Sequence, residues 1–425
     1  MMRHRIRPIL HLIALALPLL ALQAWAQAPA PQGGLDALQA ILERTSVRLF
    51  DPSKPVSDAA IKQIMQAGWN ARTIDGSRPF EFIEISDRAT LETLAGQTKF
   101  ASWLKNAPRA VAVVVNTKES PQAYKANGML AVMNMTYKAK ELGIGTTFQG
   151  TADRDAMKQT LGIGDGRYLL TVLALGAPKP GHNFRSPERA KLERVVATDK
   201  LGNKARALAA VTPLERAGLG IGELLERPVS DATAFDNRPV EAQTLRTVFE
   251  AARRAPSSKN RQGWRWVLVT DEKQKQEIAR AAKDPLLANA PTLAVLARSK
   301  KNPPRDFHSQ VKHDPHNFVE PGVKLVHYFA DEDVAGSLAN MSLAAGSLGL
   351  GVRVATFEQT RARSTGEVRA RKLLSPGKRI APAQDYQAYA VVGLGYARQS
   401  AAQPLVGQLP EARVFSGRWG QRSPR

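Results

Sequence analysis

Two short stretches of this chain carry side chains whose types and spacing could do chemistry. In Arg44-Thr45-Ser46-Val47-Arg48, two guanidiniums and a hydroxyl sit at alternate positions. On an extended backbone alternate side chains share a face, so all three would converge on one spot. Planar donor forks beside a hydroxyl suit a phosphate. Basic residues near a helix end commonly just face water, so this spacing alone discriminates weakly. In Ala255-Pro256-Ser257-Ser258-Lys259-Asn260-Arg261-Gln262-Gly263-Trp264, small, hydroxyl and amide side chains follow one another. Such a loop lets the backbone come close to a flat ligand. A third stretch, around 300 to 323, holds His308, His313 and His316 among Pro303, Pro304, Pro315 and Pro321. Three histidines could bind a metal ion. A Pro-rich surface loop is the commoner meaning of that composition, so no metal is assigned and the insert is read as a lid.

These stretches need elements to position them. Leu245, Val248, Phe249 and Ala252 make an amphipathic helix before the second stretch, and Trp264 to Val269 reads as a strand after it. Leu35, Leu38, Ile41 and Leu42 predict a short helix before the first. Another helix starts at Pro55-Val56-Ser57-Asp58, with Ser57 or Asp58 as cap. Phe82 to Ile85, Ala110 to Val115 and Leu169 to Gly176 read as strands, and Met129 to Leu142 as a long buried helix. The pattern then recurs. Phe50 pairs with Phe235, Pro79-Phe80 with Gly263-Trp264, Leu142-Gly143-Ile144-Gly145 with Leu348-Gly349-Leu350-Gly351, and Gly176 with Gly395. Constant order with growing offset is the mark of a duplicated domain carrying insertions.

Composition narrows the class. A length of 425 residues favours two or more domains, and 43% hydrophobic content fits a globular chain. The net charge of +22 favours anionic partners. Aromatic residues do not interleave with Lys and Arg in a stacking pattern, so nucleic acid is not assigned as a partner. The absence of cysteine excludes disulfides, thiolate catalysis, Cys-ligated zinc and iron–sulfur clusters. Residues 1–26 read as a Sec-type signal peptide: Arg3, Arg5 and Arg7, an apolar run from Ile9 to Leu22, and Ala24-Trp25-Ala26 as cleavage pattern. The apolar run is short for a membrane span. The expectation is a periplasmic or secreted protein with no stable span after cleavage.

The loop from Ala255 to Trp264 closely resembles the Ala-Pro-Ser-x-x-Asn-x-Gln-Pro-Trp loop of the nitroreductase family of FMN enzymes, with Gly263 in place of the second proline. In that family the loop lies over the flavin ring and comes from the subunit opposite the one holding the flavin phosphate. Arg44 to Phe50 is similar to the family's opening Arg-x-Ser-x-Arg-x-Phe, which holds the phosphate and ribityl chain. The segment after the long helix resembles the family loop that meets the flavin edge near N5, with Thr147, Gln149 and Gly150 as matches. Arg189 matches its basic C-terminal phosphate contact.

The resemblance implies an α+β fold: two tandem nitroreductase-like domains, each a mostly antiparallel sheet flanked by helices, forming an intramolecular pseudo-dimer. Domain 1 is placed at 35–196, a linker at 197–223, domain 2 at 224–415 and a basic tail at 416–425. The two copies differ in what they keep. Around Ala71 to Phe80, Arg72 stands for the proline, Gly76 for the asparagine and Arg78 for the glutamine; before Phe235, Asp231 and Thr233 stand for Ser46 and Arg48. Repeat one has the phosphate arm without the ring loop, and repeat two the reverse. The implied protein holds one FMN between the repeats through Arg44, Ser46, Arg48, Gln149, Gly150, Arg189, Pro256, Ser257 and Asn260. Pro256 would pack on the ring, and Ser257 and Asn260 would bond the ring or orient the loop. No catalytic side chain is assigned. The expected activity is hydride transfer through flavin N5 to a small-molecule nitro-, quinone- or enone-type acceptor, with NADH or NADPH as candidate donor. An FMN store or sensor without turnover is the alternative, and a metal- or polyanion-binding module the third.

Overall fold

The computed structural model describes residues 34–97, 102–148, 154–181, 187–227, 232, 234–299, 330–357, 369–370, 372–374, 386–398 and 406–422. The first half builds α1 (Ala37–Leu42), α2 (Asp58–Trp69), β1 (Phe80–Ile85), α3 (Arg88–Gly96), β2 (Arg109–Asn116), α4 (Tyr124–Glu141), β3 (Gly145–Phe148), α5 (Arg154–Thr160) and β4 (Arg167–Gly176). A connecting stretch follows with α6 (Leu192–Val195), β5 (Val196–Thr198), α7 (Arg206–Ala209) and α8 (Ile221–Glu226). The second half repeats the order: α9 (Ala242–Arg253), β6 (Trp264–Val269), α10 (Glu272–Ala281), β7 (Thr292–Ser299), α11 (Ala330–Ser347), β8 (Gly351–Thr356), β9 (Tyr386–Gly395) and β10 (Val414–Ser416). The fold is α+β, as expected, with two five-stranded sheets in the orders β10-β1-β2-β4-β3 and β5-β6-β7-β9-β8.

Local chemistry sets the boundaries. Ser57, not Asp58, caps α2, its hydroxyl accepting from the Ala60 amide at 3.2 Å. Asp87 and Asp271 cap α3 and α10 in the same way. Strand faces alternate, so β1 sends Phe80 and Phe82 into the shared core and Ile83 and Ile85 onto the opposite face.

The long helices α4 and α11 are buried almost all round, which puts them at the centre rather than the surface. They pack on each other, and Tyr137 donates its hydroxyl proton to Asn340 Oδ1 at 2.5 Å across that contact. One continuous apolar core runs through both halves around this pair.

Each sheet borrows its edge strand from the other half. β5 runs parallel to β6, and β10 runs parallel to β1, whereas the other neighbours are antiparallel. The stretch from 197, expected as a connector, therefore opens inside the second sheet. Residues beyond 416 also pack on the first sheet: the Trp419 amide donates to Leu161 O at 2.8 Å and its ring meets Phe415. The two arms make the halves embrace each other.

Candidate functional site

The Arg44–Arg48 segment lies along β3, the Val47 amide donating to Thr146 O at 2.9 Å. This approach needs a bare backbone at Gly145, where a Cβ would fall 2.7 Å from Val47 Cβ, Cγ1 and Cγ2. Arg44 is buried, and its Nη1 donates to Ser46 Oγ at 3.4 Å. Arg48 does not complete the expected trio. Its guanidinium lies over the Trp103 ring, 5.2 Å from the centroid, because an aromatic face attracts a cation. It still acts on Arg44 as a nearby like charge.

The Ala255–Trp264 loop turns through a 3₁₀ segment, Ser258–Asn260. Asn260 and Gln262 take left-handed backbone angles, φ 53° and 51°. Asn adopts this region more readily than most residues because its short amide can bond locally. Ser257 Oγ accepts from the Gln262 amide at 2.9 Å, closing the turn. The loop then grips the C-terminal arm of the first half. Arg189 Nη1 donates to Asn260 Oδ1, Asn260 Nδ2 donates to Glu188 O at 2.9 Å, and the Ala190 amide donates to Gln262 Oε1 at 2.9 Å. Both Ser257 and Asn260 make hydrogen bonds that orient the loop. Pro256 is buried beside α11, its carbonyl near Gly336.

Four arginines meet around this junction. Arg189 Nη2 donates to Arg254 O at 3.3 Å, Arg253 Nη1 to Ala190 O at 2.7 Å, and Arg254 Nη1 to Leu42 O at 3.1 Å. Glu250 bonds Arg246, Arg253 and Arg254. Burial first, then the like charges of Arg44, Arg253 and Arg254, pushes Arg189 down to about 9. Burial likewise lowers Arg44. The Nε atoms of Arg44 and Arg189 and the hydroxyl of Thr147 are buried with no partner among the described residues. Buried donors normally find acceptors. Crowded cations with orphaned donors fit a bound anion such as a phosphate.

The equivalent region of the first half keeps the shape and loses the chemistry. Gly76, φ 74°, takes the left-handed turn that Asn260 takes, without an amide to offer. Where repeat two has Glu250, Arg253 and Arg254, repeat one has Gln66, Trp69 and Asn70. Arg78 turns inward and donates to Trp69 O and Ala71 O, both at 3.0 Å, while Arg72 reaches Ser342 Oγ at 3.5 Å.

Gln149, Gly150, Asp231, Thr233, the 300–323 insert with its histidines, and residues 1–26 lie outside the described residues. The sequence reading missed Gln262, Glu250, Arg253, Arg254 and Asp333. Gln262 was visible as part of the motif. The others carried only the generic signal of charged residues at helix ends.

The nitroreductase family model matches residues 41–128 and 232–374, one segment in each half. The chain belongs to the nitroreductase family. A protein of Archaeoglobus fulgidus named for NADH dehydrogenase and NAD(P)H nitroreductase activity is 29% identical over 156 residues, covering 35% of this chain and 89% of its own. One of the same name from Methanothermobacter thermautotrophicus is 26% identical over 169 residues, covering 38% and 88%. A crystal structure of that name from Parabacteroides distasonis shares 28% identity over 35% of this chain and 90% of its own, with a TM-score of 0.34.

Proposed function

We propose that this chain is an exported oxidoreductase holding one FMN between its two repeats and reducing a small nitro-, quinone- or enone-type acceptor. The carrying observation is the junction of Arg189 with Asn260. It joins the arm of repeat one to the loop of repeat two beside buried, crowded, partly unsatisfied arginines. Arg44, Ser46 and Arg189 would hold the phosphate, with Arg48 flanking and Gln149 and Gly150 at the ring edge. Pro256, Ser257 and Asn260 would shape the wall over the ring. Bound FMN would supply hydride transfer at N5. The chain's own residues bind, orient and screen; no side-chain acid or base is assigned.

A dinucleotide of the NAD(P)H class is the donor suggested by the names of the relatives. Domains at 35–196 and 224–415 would follow a cleaved signal at 1–26, supported by the basic start, apolar run and small-residue cleavage pattern. No helix among the described residues is long and apolar enough to cross a membrane.

The test is flavin retention. Wild type should purify with one FMN per chain. Arg48→Glu puts a negative charge beside the phosphate and should weaken retention strongly, whereas Thr233→Glu should leave it nearly unchanged. Equal losses would contradict the one-sided site. Anaerobic mixing with NADH and NADPH then separates an enzyme from a flavin store, since only the enzyme bleaches and reoxidises with acceptor.

A further inference from the structure

We infer that Asp333 is the positioning residue of the 255–264 loop, and that its buried carboxylate latches the loop to the start of α11 only while it is charged. This rests on the flavin reading of the loop. The Ser258 amide donates to Asp333 Oδ1 at 2.7 Å, and Arg261 Nη2 donates to Oδ2 at 3.2 Å. Arg261 Nε also donates to Ser258 O at 3.0 Å, so three contacts close a ring around one carboxylate. Both side chains of the ion pair are nearly excluded from solvent, at 10% and 8% exposure.

The other repeat supplies a natural control. At the matching place in α4, Asn127 accepts from the Ile74 amide at 2.8 Å, the same backbone bond made by an amide. Its Nδ2 turns to Asp75 and Ser120 instead of to an arginine. The backbone bond is thus common to both copies, and the charge belongs only to the copy that kept the ring loop. In that copy the amide shares the work with Asp75 and Ser120; here the second link of the carboxylate runs to Arg261, and a proton cancels it.

The neighbouring Glu332 carboxyl is itself raised by burial and in turn raises Asp333. Arg261 faces Asp333 from the loop, and Glu332 and Asp331 precede it on α11. Across the repeats, Tyr168 donates to Glu332 Oε1 at 2.7 Å with Arg154 stacked on its ring, while Lys125 and, from β7, Arg298 neutralise Asp331. Burial, opposed chiefly by Arg261, pushes the Asp333 carboxyl up to about 7. A carboxyl raised in the folded state loses folding free energy as pH rises from its unfolded value to its folded one. Charging Asp333 therefore does not stabilise the fold; it places the loop.

The experiment is FMN affinity by fluorescence quenching, on the full chain, at pH 6 to 8, for wild type and Asp333→Asn. If only the charged form holds the loop, one proton near pH 7 weakens wild-type binding by about tenfold from pH 8 to pH 6 beyond any change in the variant. The FMN phosphate also titrates near pH 6, but it does so in both chains and cancels in the comparison. Asp333→Asn should bind about tenfold more weakly than wild type at pH 8 and approach it at pH 6. Parallel profiles would overturn the latch. If neither chain binds FMN at any pH, the flavin reading fails and the latch is read from the Ser258 amide in the ligand-free chain. Its exchange protection should fall from pH 8 to pH 6 in wild type and stay level in Asp333→Asn; level protection in both would overturn it.

Discussion

Lys125 and Asp331 are the same residue of the two repeats, each second in its long helix, and they form an ion pair at 3.5 Å. In a symmetric homodimer a residue at that place on the axis would face its own copy, and a charge there would repel itself. Fusion removes the constraint, so one copy carries the cation and the other the anion. The pair marks this interface as belonging to two halves that are no longer interchangeable.

Lys125→Asp restores the like-charge encounter. It should lower the free energy of unfolding by about 1–2 kcal/mol, because both partners are mostly buried. Lys125→Met should cost less, since it removes the attraction without adding repulsion. Urea unfolding measures both. A Lys125→Asp chain as stable as wild type would mean that α4 and α11 do not meet this way in solution.

Gly145→Ala tests the seating of the phosphate arm. The new Cβ would sit 2.7 Å from three atoms of Val47, between Ser46 and Arg48. The arm must shift, with a stability loss of about 1–3 kcal/mol and weaker FMN retention. Gly351→Ala, its counterpart, meets Ala232 Cβ at 3.0 Å, Ala397 Cβ at 3.3 Å and Gly395 O at 3.5 Å. It should cost less and leave retention intact. Thermal unfolding and flavin absorbance of both variants give the comparison.

Glu250→Gln installs the residue that repeat one carries as Gln66. Burial alone would raise this carboxyl, but bonds and charges from Arg253 and Arg254 outweigh it and hold it at about 2. A carboxyl depressed in the folded state contributes stability above its unfolded value, lost as pH falls through the folded one. The drop from 4.5 to about 2 is worth roughly 3 kcal/mol at neutral pH. Wild type should exceed Glu250→Gln by that order at pH 7, and the gap should close between about pH 4.5 and pH 2, read by denaturant unfolding across that range.

The duplicated order of elements, the long buried helices and both chemistry-bearing stretches were legible in the sequence. Each is written in local pattern: apolar spacing, capping residues, glycines at helix ends and motifs repeated in the same order. That Gly76 still turns as Asn260 does follows from the same local preferences. Only the tertiary structure decided that β5 and β10 change sheets, since strands of three residues carry no usable periodicity. It alone turned Arg48 onto Trp103, brought Arg189 to Asn260 across 71 residues of chain, and set Asp333 beneath Ser258. Charges and hydrogen-bond partners depend on what folding places around a group and on how much water it removes. Neither is a property of a residue's neighbours in the chain.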